Sequence, residues 1–207
     1  MPQYDSFAQD FSQTRQRSWP EFERYILPRL QPHDRLLDLG CGNARLRQSL
    51  ASEQIREGEY FGLDVSQKLL DIARKDFPKD HFFLGNMKDL PFGADNFEVV
   101  TAIASFHHLL NKKDQRACLQ EIYRVLKPGG MVCFTNWKLP KKYFWKNVLR
   151  GRFKNWDIPF GPKKHPRTYR RITPSEMKSL LKKTGFEVVT NEWFQDRNLV
   201  TMARKRV

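Results

Sequence analysis

Residues 35–46 read RLLDLGCGNARL: an apolar run (Leu36, Leu37, Leu39) that carries one acid, Asp38, and stops in Gly40-Cys41-Gly42. A leucine-rich run that ends in glycine has the pattern of a buried parallel strand entering a tight turn. Without a Cβ, the glycines let backbone come close to a ligand. Residues 44–50 can then open a helix whose first amides face that ligand. A lone Gly-x-Gly also occurs in ordinary tight turns, so the flanking chain has to decide.

Downstream, strand and helix patterns alternate. Tyr60–Asp64 is an apolar strand closed by an acid, and Ser66 is an N-cap for a helix over 67–75. His81–Leu84 is a short third strand, followed by Gly85-Asn86-Met87. Residues 97–104, the most apolar run, form a fourth. Over 114–126, Cys118, Leu119, Ile122, Val125 and Leu126 share one helical face. The KPGG of 127–130 is a turn before a fifth strand, 131–135. Thr173-Pro174-Ser175-Glu176 opens a helix that Gly185 stops, and 186–193 and 199–203 are two strands joined by a short turn. Upstream, 4–30 read as helical around Phe7, Phe11, Phe22, Tyr25 and Ile26, interrupted at Trp19-Pro20. The alternation predicts an α/β fold: a doubly wound, mainly parallel seven-stranded sheet with a C-terminal antiparallel hairpin. It is read as one domain over 1–207, with an N-terminal helical segment, 1–33, and a basic aromatic insertion, 138–171.

Composition narrows the setting. The chain has 207 residues, 40% of them hydrophobic, and no apolar run approaches the roughly 20 residues of a membrane span. The first residues lack the basic-then-apolar pattern of a signal peptide. Cys41, Cys118 and Cys133 are odd in number and scattered, which argues against a disulfide framework or a cysteine metal site and fits a reducing cytoplasm. The net charge is +14, and 138–171 holds 12 Lys/Arg against one acid, Asp157. Such a concentration suggests a polyanionic partner. Interleaved with it are Tyr143, Phe144, Trp145, Phe153, Trp156, Phe160 and Tyr169, rings of the kind that stack on splayed RNA bases. The same residues also fit a lid with its aromatics packed inward, or an anionic membrane surface.

In a doubly wound sheet, ligands sit beyond the carboxyl ends of the strands. That edge collects Gly40–Gly42, Asp64 about 20 residues on, Asn86-Met87, Ile103-Ala104-Ser105 and His107-His108. The turn continues as Asn43-Ala44-Arg45 and does not complete G-x-G-x-x-G, which favours an adenosine ligand without a diphosphate.

The set Asp38-x-Gly40-x-Gly42, Asp64, Leu90-Pro91-Phe92, Phe106-His107-His108-Leu109 and Arg124 to Gly130 resembles the class I S-adenosylmethionine-dependent methyltransferases, over roughly 35–137. The resemblance implies S-adenosylmethionine as cofactor. Gly40, Cys41 and Gly42 would border its methionine part and Asp38 would lie near the ammonium. Asp64, with Val65 beside it, would take the ribose hydroxyls. Asn86 and Met87 would flank the adenine, and Ile103 and Ala104 would close the site. The chain departs from the family at Ala44, often a third glycine, and at Asn86, commonly an acid.

Segments outside this core bear on the acceptor. Phe11-Ser12-Gln13-Thr14-Arg15 with Trp19-Pro20, Ser105 to Leu109 with Gln115-Arg116, Phe134-Thr135-Asn136-Trp137, and Tyr169-Arg170 with Asp196-Arg197-Asn198 resemble the wobble-uridine tRNA methyltransferases. Those enzymes esterify the carboxylate of 5-carboxymethyluridine and typically work with a small activator subunit. The resemblance implies tRNA as partner, bound through 138–171. A carboxylate is already ionised at neutral pH and needs a positioning cation rather than a base. Arg15 and Arg170 are the candidates for that cation. His107 and His108, after strand four, either contact substrate or cap and pack. A small-molecule methyltransferase of the quinone-biosynthesis type shares the core motifs, and a non-catalytic RNA-binding module remains a different class of reading.

Overall fold

The computed structural model describes residues 5, 8, 12, 19–50, 54–138, 140, 143–151, 153–160 and 165–207. Seven strands form one sheet: β1 (Leu36–Leu39), β2 (Tyr60–Asp64), β3 (His81–Leu84), β4 (Phe97–Ile103), β5 (Leu126–Trp137), β8 (Glu187–Phe194) and β9 (Asn198–Arg204). Their order across it is β3-β2-β1-β4-β5-β9-β8. Pairings from β3 through β5 are parallel, and β9 runs antiparallel to both β5 and β8. This is the seven-stranded, mainly parallel sheet with a C-terminal hairpin that the sequence predicts.

The inner strands β1, β2 and β4 are buried on both faces because both faces are covered. On one face Leu37, Leu39, Val100, Val132 and Phe134 pack with Leu119 and Ile122 of α4 (Lys112–Val125) and with Met177 and Leu181 of α6 (Pro174–Thr184). On the other, Leu36, Val99, Ile103 and Cys133 meet Phe22 and Tyr25 of α1 (Pro20–Tyr25), Leu46 of α2 (Arg45–Gln48), and Leu70 and Ala73 of α3 (Gln67–Asp76). Leu36 and Leu37 fall in different cores, the period of two expected of a strand.

Polar side chains set the helix ends. The Leu69 amide donates to Ser66 Oγ, the Asp114 amide to Asn111 Oδ1 and the Glu176 amide to Thr173 Oγ1, so α3, α4 and α6 are all side-chain capped. Asn111 starts α4 two residues before the sequence reading places it. Gly185, at φ +100°, ends α6. The predicted turn at 127–130 lies inside β5. Its pairing steps from Phe97–Leu126 to Val99–Met131, so these residues loop out of register.

The insertion holds a two-stranded ribbon that the sequence reading did not assign. A short helix, α5 (Phe144–Val148), precedes an antiparallel ribbon of β6 (Asn155–Phe160) and β7 (His165–Arg170). Trp156, Ile158 and Tyr169 bury together in the ribbon, against Trp137 and Tyr143. Trp145 and Phe153 remain 70% and 67% exposed. The insertion therefore divides its aromatics, turning some inward as a lid would and leaving others at the surface. Among the described residues, no helix is long and apolar enough to cross a membrane.

Candidate active-site cleft

Hydrogen bonds to neighbouring strands fix the turn after β1. The Gly40 amide donates to the Leu63 carbonyl (2.7 Å), and Ser105 Oγ donates to the Leu39 carbonyl (2.6 Å). Gly40 has φ +74°, and a Cβ there would lie 2.5 Å from Ser105 Cβ. Both the backbone conformation and the space therefore demand glycine. Ala44, in the position of the missing third glycine, keeps the left-handed conformation at φ +57°.

This turn, the end of β2, Asn86-Met87 and the exit of β4 enclose a cleft of about 470 Å³. Small-molecule sites run from roughly 300 to 1,000 Å³. Gly40, Cys41, Gly42, Asp64, Val65, Asn86, Met87, Ile103 and Ala104 all line it, as the sequence reading groups them. Asp64 accepts hydrogen bonds from the Gly42 amide (2.9 Å) and the Ser66 amide (2.8 Å). Burial raises its carboxyl pKa, opposed by the amides of Ser66 and Gly42. Asn86 Oδ1 accepts from the Lys88 amide (3.1 Å) and keeps a second lone pair for a ligand. At the β4 exit Ala104 has φ +52°, and its amide donates to the Thr135 carbonyl and Thr135 Oγ1, both at 3.0 Å.

Asp38 stands back from the cleft. It is not on the cleft wall: its carboxylate accepts hydrogen bonds from the Tyr60 hydroxyl (2.7 Å) and Thr101 Oγ1 (2.8 Å) beneath the glycine turn. Burial pushes its pKa up to about 6, against the pull of both hydroxyls. Its carboxyl braces β1 against β2 and β4 instead of pointing at a ligand.

The far end of the cleft is aromatic and basic. His108, Trp137, Arg167 and Tyr169 line it, with His107 behind them. Ring centroids lie 4.8 Å apart for His108–Tyr169, 5.1 Å for Trp137–Tyr169 and 5.0 Å for His107–Tyr169. His107 Nδ1 accepts from the Trp137 amide at 3.4 Å. Burial first, then the neighbouring His108 and Arg167, holds His107 well below the usual imidazole range. Burial and Arg167 push His108 down to about 4. Both imidazoles are therefore neutral at pH 7.

Of the two candidate positioning cations, Arg15 lies outside the described residues. Arg170 is turned away from the cleft: it donates to Glu176 Oε1 (2.5 Å) and to the Leu110 carbonyl (3.5 Å). The reason is strand parity, since in β7 Arg170 points opposite to Tyr169. Arg167, of the same parity as Tyr169, lines the cleft instead. The sequence reading missed it because 165–170 was not recognised as a strand. The signal that could have found it is the Arg-x-Tyr spacing next to Trp156-x-Ile158. At the opposite rim Arg45 stacks its guanidinium 3.8 Å over the Trp19 ring.

A cleft with a glycine turn at one strand end and a buried acid at the next fits a nucleoside-bearing cofactor. Residues 37–134 match the family model described as "Methyltransferase domain". The demethylmenaquinone methyltransferase of Listeria welshimeri is 32% identical over 158 residues, covering 74% of this chain and 65% of that enzyme. The tRNA (carboxymethyluridine(34)-5-O)-methyltransferase of Xenopus tropicalis is 31% identical over 143 residues, covering 68% of this chain and 21% of that protein. A methyltransferase solved in complex with the Trm112 methyltransferase activator of Haloferax volcanii superposes with a TM-score of 0.73 at 20% identity, over 99% of this chain and 96% of its own. The chain thus spans just under two thirds of the Listeria relative's length and a fifth of the Xenopus protein's.

The fold is that of the class I S-adenosylmethionine-dependent methyltransferases, and residues 37–134 match the methyltransferase-domain model within it. S-adenosylmethionine is the cofactor of this class. The cradle at Gly40, where a Cβ would collide, and the buried Asp64 carboxylate fit it.

Proposed function

We propose that the protein is an S-adenosylmethionine-dependent methyltransferase that acts on tRNA, esterifying the carboxylate of a modified wobble uridine. The observation that carries this reading is the route of the basic insertion: the segment with 12 Lys/Arg supplies part of the cleft wall itself, through Arg167 and Tyr169 of β7. The segment whose charge suits a polyanion is thereby the one that reaches the cleft, and the Trp145 and Phe153 rings stand exposed on the same insertion. The cofactor supplies an activated methyl group on a sulfonium. Asp64 would receive the ribose hydroxyls, and the Gly40–Gly42 turn would let the methionine part approach the backbone. Trp137, Tyr169 and His108 exclude water from the acceptor end.

The buried imidazoles agree with an ionised nucleophile. General-base catalysis is efficient when the base titrates near the working pH, and His108 at about 4 does not. A carboxylate acceptor has no proton to remove, so the residues of the chain would need only to orient it toward the methyl group that the cofactor would supply. A small activator subunit is part of the proposal, supported by the structural likeness to the methyltransferase held by an activator. The buried, free Cys41, Cys118 and Cys133 suit a reducing, cytoplasmic setting.

Mass spectrometry of tRNA nucleosides from cells with and without the protein tests the reading. Loss of the wobble-uridine methyl ester, with its carboxylate precursor accumulating, is expected; an unchanged pool would reject it. The second reading, a small aromatic acceptor, draws on the Listeria relative and on the same aromatic cleft end. Its mark would be transfer to a quinol with no tRNA present.

A further inference from the structure

Arg167 is only 4% exposed, yet it lines the cleft. Its guanidinium carbon lies 5.1 Å from the Tyr169 ring centroid and 5.4 Å from that of Trp137. Rings of this kind stabilise a guanidinium through their π faces. The positive charge is felt nearby, since it helps lower both His107 and His108. Among the described lining residues the carboxylate is Asp64, which is held by the turn amides at the other end. The cleft thus carries an acid where a ribose would bind and two lining guanidiniums, Arg45 at the Trp19 rim and Arg167 among the aromatic rings. A guanidinium fork matches the two oxygens of a carboxylate, and the flanking rings match a planar base.

We propose that Arg167 is the binding residue for the anionic group of the methyl acceptor, and that Trp137 and Tyr169, packed on each other, wall one side of the ring bearing it, so that the cleft selects a planar base with a carboxylate over its neutral counterpart. The identity of the base rests on the tRNA reading above; the anion subsite does not. Arg167 takes that role rather than Arg170, because Arg167 lines the cleft and Arg170 does not.

The test compares binding of two probes, the nucleosides 5-carboxymethyluridine and 5-carbamoylmethyluridine, to the full chain loaded with S-adenosylhomocysteine. The wild type should prefer the carboxylate by about tenfold or more, in keeping with a charge-assisted bidentate interaction. Arg167→Gln should abolish the preference, and Arg167→Lys should restore part of it. S-adenosylhomocysteine affinity and the melting temperature report whether each variant is folded, and the lysine variant keeps the test open if the glutamine variant is not. No preference in the wild type, or a preference that survives Arg167→Gln, overturns the inference. If the preference depends on Arg167 while tRNA wobble carboxylates go unmethylated, the subsite stands and the tRNA reading falls. Methylation of those tRNAs by Arg167→Gln at the wild-type rate and KM would do the reverse.

Discussion

The Gly42 amide donates to the Asp64 carboxylate at 2.9 Å, tying the turn after β1 to the end of β2. One acid thereby does two things. It orients the glycine turn from below, and it presents a charged acceptor to the cleft. Ser66 completes the arrangement, since its amide donates to Asp64 while its hydroxyl caps α3.

Asp64→Ala should therefore weaken S-adenosylmethionine binding without unfolding the protein. A hydrogen bond to a charged group contributes about 1.5–3 kcal/mol, so affinity should fall roughly 10- to 100-fold by calorimetry. Unchanged affinity would remove Asp64 from the cofactor site.

Asp38 predicts a pH dependence of stability. Its pKa is raised from 3.8 to about 6, chiefly by burial. The folded state thus binds the proton more tightly than the unfolded chain does. Its contribution is complete below pH 4 and is lost as pH rises through 6. By the end it should amount to about 3 kcal/mol. Asp38→Asn keeps the shape and removes the titration. Urea unfolding of both proteins from pH 4 to 7 should show the wild type losing about that much relative to the variant. A constant difference would mean that Asp38 is ionised without penalty.

Much of this was readable from residues alone, for a physical reason. The Leu36–Leu39 run, the acid closing Tyr60–Asp64 and the β4 run are local patterns that strand period and burial constrain strongly. The caps at Ser66 and Thr173 are equally local. What was hidden depends on neighbours distant in sequence. Asp38 looks like a ligand residue until it is seen to lie behind the cleft wall, between Tyr60 and Thr101. Arg170 outranked Arg167 because Glu176 and strand parity are invisible in a run of basic residues. The β6–β7 ribbon carries Pro159 and Pro166, opposite each other, and proline argues against strand in a sequence.

The close approach of Gly40 and Ser105 can be measured by a double-mutant cycle. Gly40→Ala places a Cβ 2.5 Å from Ser105 Cβ at φ +74°, and should cost at least about 2 kcal/mol. Adding Ser105→Gly relieves the overlap and leaves the backbone term of about 1–2 kcal/mol. The double variant should therefore be more stable than the sum of the singles implies, read from denaturant midpoints. Strict additivity would mean that the two residues do not touch.

The buried histidines predict a flat pH profile. With His108 at about 4 and His107 held low, neither changes protonation between pH 6 and 8. For a carboxylate acceptor, kcat/KM for transfer should stay level across that range. A rising limb centred near 7 would reveal a working base and favour the small-molecule reading.

Salt dependence tests whether the insertion is the RNA footprint. Bound phosphates release counterions, so tRNA affinity should fall linearly on a log–log plot against salt. Arg150 and Lys154 are exposed beside Trp145 and Phe153 in the chain, and neither faces the cofactor end. Replacing both with alanine should flatten the slope by about 0.7 for each phosphate that is no longer neutralised. S-adenosylmethionine affinity should not move. Trp145→Ala acts on a different term: removing a stacked base should weaken binding by about 1–3 kcal/mol at every salt concentration, leaving the slope intact. If the double charge variant lowers affinity without changing the slope, the lysine and arginine act through folding of the insertion and the phosphates lie elsewhere. A change of slope alongside unchanged cofactor binding would tie the +14 chain's charge to the nucleic acid rather than to the fold.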